Sequence, residues 1–412
     1  MPDQPVRLST RQVADLLGVK PETVYAYVSR GLLHSRREPR DRGSWFDSHE
    51  VEDLARHSRQ AAANGGRPPQ PFIATRLTLS DGGLYYRGRD AAQLAATESF
   101  ENVAGLLWTG EIQPVDFAAD AAVLDLVRTV TAAMPKTARL PDLLRVVPPV
   151  VAAADPLRFD VAPDSVRAAA AGLLAIMVDS LPMRRPGARS APRRPAAQSL
   201  AQRLWPRLTA RAPTPAGIRA LNATLILLAD HGLAVSTLAG RVAASARAHP
   251  YAVVSAALGA FDGPLHGAAG SHAYRLFEDA LRDGDPMAVY AQRLRTQGRV
   301  EGFGHRTYPD GDPRARVLLG LLDEAGDEVP RRVRDTADVL VATARTRSPG
   351  LPNIDFALPL FAHAYDMAPD AGEAVFIVAR TVGWIAHALE EYEETPMRFR
   401  YEGAYRGVEP PG

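Results

Sequence analysis

Beyond residue 72 the apolar residues recur at steps of three and four, over 91–94, 100–108, 118–133 and 165–178, and this spacing restricts the chain to a mainly helical fold. Strand-type alternation is rare; it predicts a hairpin over 76–87, turning at Asp81-Gly82-Gly83. Two longer helices are expected at 217–231, an apolar run closing on Asp230-His231-Gly232, and at 372–392. The second carries Val375, Val378, Val382, Ile385 and Leu389 on one stripe, with Phe376 and Arg380 one turn apart on another face. An unpaired buried cation is costly, so Arg380 on so apolar a helix calls for an anionic ligand or a structural ion pair.

With 412 residues the chain exceeds one ordinary domain. Residues 1–60 read as a separate module. Val13, Leu16 and Leu17 have helical spacing, Gly18 stops that helix, and Pro21 suits the first turn of a second helix that runs to Gly31. Helix, short glycine turn and helix make the helix-turn-helix pattern, followed by a turn-rich stretch with Arg36, Arg37, Arg40 and Arg42 ahead of Trp45-Phe46. Over residues 8–57 the module resembles the winged helix-turn-helix of MerR-type regulators and excisionases. In that reading Thr23, Tyr27 and Arg30 face bases while Arg36 and Arg37 meet phosphates. The other reading is a small helical protein-interaction module, because Asp41, Asp47, Glu50, Glu52 and Asp53 largely cancel the arginines. Residues 61–71, alanine followed by glycine and proline, read as a linker, and 182–195, five arginines among prolines, as an exposed loop.

Lys+Arg 48 against Asp+Glu 47 leaves a net charge of +1, so the whole chain is no polycation and DNA binding needs a local basic patch. The cysteine count of 0 excludes disulfides, thiolate metal sites and any condensing enzyme acylated on a thiol. No secretion-signal stretch or membrane-spanning segment is expected, and a cytoplasmic location is the expectation.

Three segments carry the chemistry: Gly263-Pro-Leu-His-Gly267; Gly302-Phe-Gly-His-Arg306 with Asp312-Pro-Arg314 behind it; and Asn353-Ile-Asp-Phe356. Two set a histidine among glycines, where backbone and substrate approach closely. The third sets Asp355 between Ile354 and Phe356, where poor solvation raises a carboxylate's basicity. A base with two imidazole donors is what proton abstraction beside a carbonyl requires. Taken singly, each has a plainer reading: turn or packing histidines at His266 and His305, a helix-end histidine at His231, a helix cap at Asp355, a surface charge at Arg314. Three histidines and an aspartate are also plausible metal ligands, but none has the short helical spacing of zinc enzymes, and no metal is expected. A serine hydrolase would need a glycine-flanked nucleophile elbow, which is missing.

In order along the chain, the segments resemble the citrate synthase family. The resemblance begins at Gly83-Leu-Tyr-Tyr-Arg-Gly-Arg-Asp90 and continues through Phe100-Glu-Asn-Val-Ala-Gly-Leu-Leu-Trp108. It is densest from Leu228-Ala-Asp-His-Gly232, through the three segments above, to Arg380-Thr-Val-Gly-Trp-Ile-Ala-His387, and covers about residues 72–408. It implies a large helical domain (72–267 and 366–412) and a small one (268–365) that close over substrate, in a homodimer. It further implies condensation of acetyl-CoA with oxaloacetate to citrate and CoA, or 2-methylcitrate formation from propionyl-CoA, with acyl-CoA as substrate and no cofactor. The alternative is a DNA-binding regulator whose synthase-like body senses a metabolite.

The resemblance also implies roles. Asp355 matches the base, His266 the donor to the thioester oxygen and His305 the group that polarises the ketone. His231, Arg314 and Arg380 match the residues that hold the dicarboxylate, Phe376 the aromatic near the acyl methyl, and Arg398 an arginine supplied across the dimer interface. Phe399 departs from the proline that usually follows that arginine. Pro309 replaces a basic residue near CoA, leaving Arg299 and Arg306 as candidates for its phosphates. Ala357 replaces a tyrosine, a change expected to enlarge the acyl side of the pocket.

Overall fold

The computed structural model describes residues 7–29, 31–35, 44–48, 50–51, 54, 73–184, 198–267, 269–347, 350–400 and 407. The chain divides into two compact units, Met1–Ala74 and Thr75–Gly412.

In the first unit Arg7–Ser9 pairs antiparallel with Trp45–Asp47, setting Leu8 opposite Phe46. Ser9 then caps helix Thr10–Leu17 in a reciprocal box with Gln12, and Gly18 ends it at φ 65°. Pro21 opens the second helix, Pro21–Ser29. Leu8, Val13, Val24, Leu33, Phe46, Val51 and Leu54 form the small core. Tyr27 is partly buried against this core, nearly one helical turn beyond buried Val24, while Tyr25 is 58% exposed. Arg30, Arg36, Arg37, Arg40, Arg42 and the linker 61–71 lie outside the described residues.

The second unit is helical apart from the expected hairpin, Thr78–Ser80 with Leu84–Tyr86, and a short third strand, Arg89–Asp90. Its core is continuous, centred on helices Pro163–Ser180, Pro215–Leu228, Ile354–Ala364 and Ala371–Glu393. The last of these corrects the expectation that no segment is long and apolar enough to span a membrane. It passes by length and composition, yet 83% of its apolar window is buried inside the protein, as a central core helix requires.

Helix Pro215–Leu228 stops three residues short of His231 rather than including it. The Tyr86 hydroxyl is the reason: it lies 2.9 Å from the Ile226 carbonyl and 3.0 Å from that of Asp230, gathering the freed carbonyls around one donor. The Gly383 N–H also donates to the Ala229 carbonyl at 3.0 Å. A Cβ on Gly383 would lie 2.3 Å from that oxygen, so only glycine lets the core helix approach the turn carrying His231.

Candidate active site

Two distant segments are stitched together to place Asp355 and His305. Asn353 N–H donates to the Gly302 carbonyl at 2.9 Å, Gly304 N–H to that of Leu351 at 2.8 Å, and the Asn353 side chain to that of Gly304 at 2.7 Å. Asn353 also caps helix Ile354–Ala364, accepting from Asp355 N–H at 2.9 Å. Gly302 sits at φ 91°, and a Cβ there would meet Phe356 at 3.0 Å. Asp312 completes the stitch: its carboxylate accepts from Arg314 Nε at 2.9 Å, Arg314 Nη2 at 2.8 Å and Ile354 N–H at 3.0 Å. One carboxylate therefore fixes both a guanidinium and the start of the helix bearing Asp355.

Burial raises the Asp355 carboxyl above its ordinary value; Arg314 opposes this and Asp312 reinforces it. The basicity expected from its apolar neighbours is present. Burial alone would lower the Arg314 guanidinium, but Asp312 more than offsets that, so it stays fully charged.

His231 and His305 face one another edge-on, ring centres 5.4 Å apart, with Tyr308 3.0 Å from His231 Nε2 and stacked on His305 at 4.8 Å. Burial lowers both histidines, with Arg314 adding to the effect, so each is held neutral. Thr307 N–H donates to His305 Nδ1 at 3.1 Å. Arg314 Nη2, which can only donate, lies 3.3 Å from the other ring nitrogen, Nε2, so both nitrogens of this neutral imidazole face a donor. Arg380 completes this cationic wall. Its Nε donates to the Leu228 carbonyl at 2.8 Å, its guanidinium lies 4.7 Å over the Phe376 ring, and its buried Nη2 has no hydrogen-bond partner among the described residues. Burial lowers it to about 10. This is the apolar-helix cation that called for an anion.

His266 approaches from the turn after helix Pro250–Phe261, its Nε2 2.8 Å from Ser236 Oγ. Trp384 Nε1, which can only donate, gives its hydrogen to the same oxygen at 3.3 Å. The Ser236 hydroxyl proton is thereby left for His266 Nε2, and the imidazole carries its own proton on Nδ1. Burial and the nearby Arg380 push this histidine down to about 4, so it is a neutral donor at ordinary pH. Phe261 packs against both His266 and Phe376, at ring-centre distances of 5.2 and 5.0 Å. Gly267, Asp355 and Phe376 line one small cavity.

Thus Asp355, His305, His231, Arg314, Arg380, Phe376 and the His266 turn belong to one neighbourhood. Arg398 stands apart, forked onto Glu391 of its own chain with both bonds at 2.6 Å. Arg299 pairs loosely with Glu301 at 3.5 Å, and Arg306 is exposed. Sequence reasoning assigned no role to Asp312, Ser236, Tyr308, Trp384 or the buried pair Asp230–His387, 3.3 Å apart. Asp312, Asp230, Trp384 and His387 lay within quoted motifs; Ser236 and Tyr308 gave no signal of their own. No grouping of three or more potential metal ligands occurs among the described residues.

Residues 70–402 match the family described as citrate synthase, C-terminal domain. The 2-methylcitrate synthase of Mycobacterium tuberculosis is 31% identical over 347 residues, 79% of this chain and 85% of that protein. The citrate synthase of Saccharolobus solfataricus is 36% identical over 211 residues, 48% of this chain and 55% of its own. Among solved structures, citrate synthase from Thermoplasma acidophilum, in a ternary complex with carboxymethyl coenzyme A and oxaloacetate, superposes with TM-score 0.65 at 23% identity, covering 83% of this chain and 95% of that one. At that identity the similarity is one of fold.

Proposed function

Because the chain belongs to the citrate synthase family, and is an acyl-transferring enzyme of that type, we propose that it joins the α-carbon of a short acyl-CoA to oxaloacetate. Acetyl-CoA gives citrate and CoA; propionyl-CoA gives 2-methylcitrate and CoA. Asp355 takes a proton from the α-carbon while the His266 Nδ1–H bonds the thioester oxygen, where negative charge develops. The resulting enol attacks the ketone carbon, and His305 delivers a proton to the ketone oxygen. Water then cleaves the thioester, releasing the CoA thiol. Arg314 and Arg380 hold the carboxylates, with His231 beside them. Every step is a proton transfer or a polar addition, so the reading calls for acyl-CoA as substrate and no further cofactor. The exposed Arg299 and Arg306 are available to CoA phosphates.

The supporting observation is a base raised by burial next to a cationic wall whose Arg380 Nη2 has no hydrogen-bond partner among the described residues. A thiol-release assay with oxaloacetate and acetyl- or propionyl-CoA tests it, and the absence of cysteine leaves the protein silent to thiol reagents. Release that depends on oxaloacetate is expected; no release with either acyl-CoA would refute the reading.

Two finer readings accompany it. Val235, Leu238 and Val242, 67%, 39% and 45% exposed, line one face of helix Val235–Ser245 and suit pairing with a second copy, toward which Arg398 would turn from Glu391. The helices Thr10–Leu17 and Pro21–Ser29, joined by a short turn, suit DNA contact. Sedimentation with and without duplex from upstream of the gene checks both. Twice the 44.4 kDa chain mass is expected, with salt-sensitive association of the duplex; a monomer, or no association at low salt, would remove the respective reading.

A further inference from the structure

The steps above give Tyr308 no part, yet its position is tightly defined. The residue is 3% exposed, and its hydroxyl lies 3.0 Å from His231 Nε2. Its ring stacks on His305 at 4.8 Å, and Ser80, at the end of strand Thr78–Ser80, is a hydrogen-bonding neighbour of the hydroxyl. One phenol thus joins the hairpin, the turn carrying His231 and the loop carrying His305. Burial raises the Tyr308 hydroxyl above its ordinary value, so it keeps its proton at neutral pH.

With Nε2 engaged by Tyr308, Nδ1 is the nitrogen of the His231 ring that has no hydrogen-bond partner among the described residues. A neutral imidazole carries one ring proton, and the other nitrogen presents a lone pair. A lone pair repels a carboxylate, so His231 can hold an anion through Nδ1 only if the proton sits there. Nε2 must then accept, and the group facing it must donate. A phenol hydroxyl meets that requirement.

We propose that Tyr308 is a positioning residue for the dicarboxylate: by donating to His231 Nε2 it keeps the His231 proton on Nδ1, where a carboxylate oxygen can accept it. Tyr308 acts through His231 and touches no reacting atom. The inference rests on the reading of His231 as a group beside the dicarboxylate.

The substitution Tyr308→Phe removes the hydroxyl and keeps the ring that packs on His305. Nitrogen-15 spectra of histidine-labelled protein, with His231→Ala identifying the His231 signals, read the tautomer without substrate. The unaltered protein should show His231 protonated at Nδ1, and Tyr308→Phe should shift population to the Nε2–H form. Calorimetric binding of oxaloacetate should weaken about five- to tenfold in Tyr308→Phe, while kcat at saturation changes less than about threefold. In a His231→Ala background the same substitution should weaken binding no further. An Nε2–H tautomer in the unaltered protein, or no effect of Tyr308→Phe on tautomer and binding, would overturn the inference. So would an equal loss of binding with and without His231, which would make Tyr308 a packing residue. Each of these leaves the reading of the site standing; an unaltered protein that binds no oxaloacetate would overturn the two together.

Discussion

Asp355→Asn is expected to lower kcat by about 10²–10⁴-fold, the range a positioned general base contributes, while the dicarboxylate binds at least as tightly as before. The amide has nearly the carboxylate's shape and cannot take a proton. Asp355 also interacts with Arg314, so removing its negative charge leaves that guanidinium freer for a substrate carboxylate. Turnover requires the ionised form. Since burial raises this carboxyl, activity should fall with decreasing pH earlier than an ordinary aspartate would dictate, and the substitution should abolish that limb. Steady-state rates and calorimetric binding of oxaloacetate, measured on the same preparations, separate the cases. Equal loss of rate and binding would make Asp355 a structural residue.

Arg380→Met is expected to weaken dicarboxylate binding by about 30-fold or more, the loss typical of removing one partner of a buried charge pair. The ligand-free protein should be no less stable. Burial holds the guanidinium down to about 10, so its charged form is disfavoured in the folded state, and Nη2 lacks a hydrogen-bond partner among the described residues. The desolvation relieved by removing this charge offsets the loss of its Nε bond to the Leu228 carbonyl and of its attraction to Asp230. Asp230 keeps Thr78 at 2.5 Å, Gly232 N–H at 3.0 Å and His387 at 3.3 Å after the change. A lowered melting temperature with unaltered binding would identify Arg380 as a structural ion-pair partner of Asp230. Binding isotherms and thermal melts decide between them.

Much of the fold was legible because its signals are local. Period-three-and-four spacing gave the helices, Asp81-Gly82-Gly83 the hairpin turn, and Gly18 with Pro21 the break between the first two helices. Helix ends set by distant groups were less legible: helix Pro215–Leu228 ends where Tyr86 collects its carbonyls, a partner about 140 positions away. A helix as short as Pro21–Ser29, with few apolar positions, leaves its inward face ambiguous in sequence; in the fold Val24 is buried and Tyr27 partly so. Within the site, the residues that carry charge or an imaginable proton transfer stood out. Those that orient them did not: Ser236 and Trp384, which fix the His266 proton, lie 30 and 118 positions from it and acquire meaning only once the helices are packed.

Exchange of the α-deuterons of trideuterioacetyl-CoA into water, with a hydroxy-dicarboxylate that occupies the oxaloacetate site but has no ketone to attack, tests proton abstraction by Asp355 directly. Exchange is predicted for the unaltered protein and none above background for Asp355→Asn at saturating dicarboxylate. Exchange that persists in the variant, or that never occurs in the unaltered protein, would contradict the assignment.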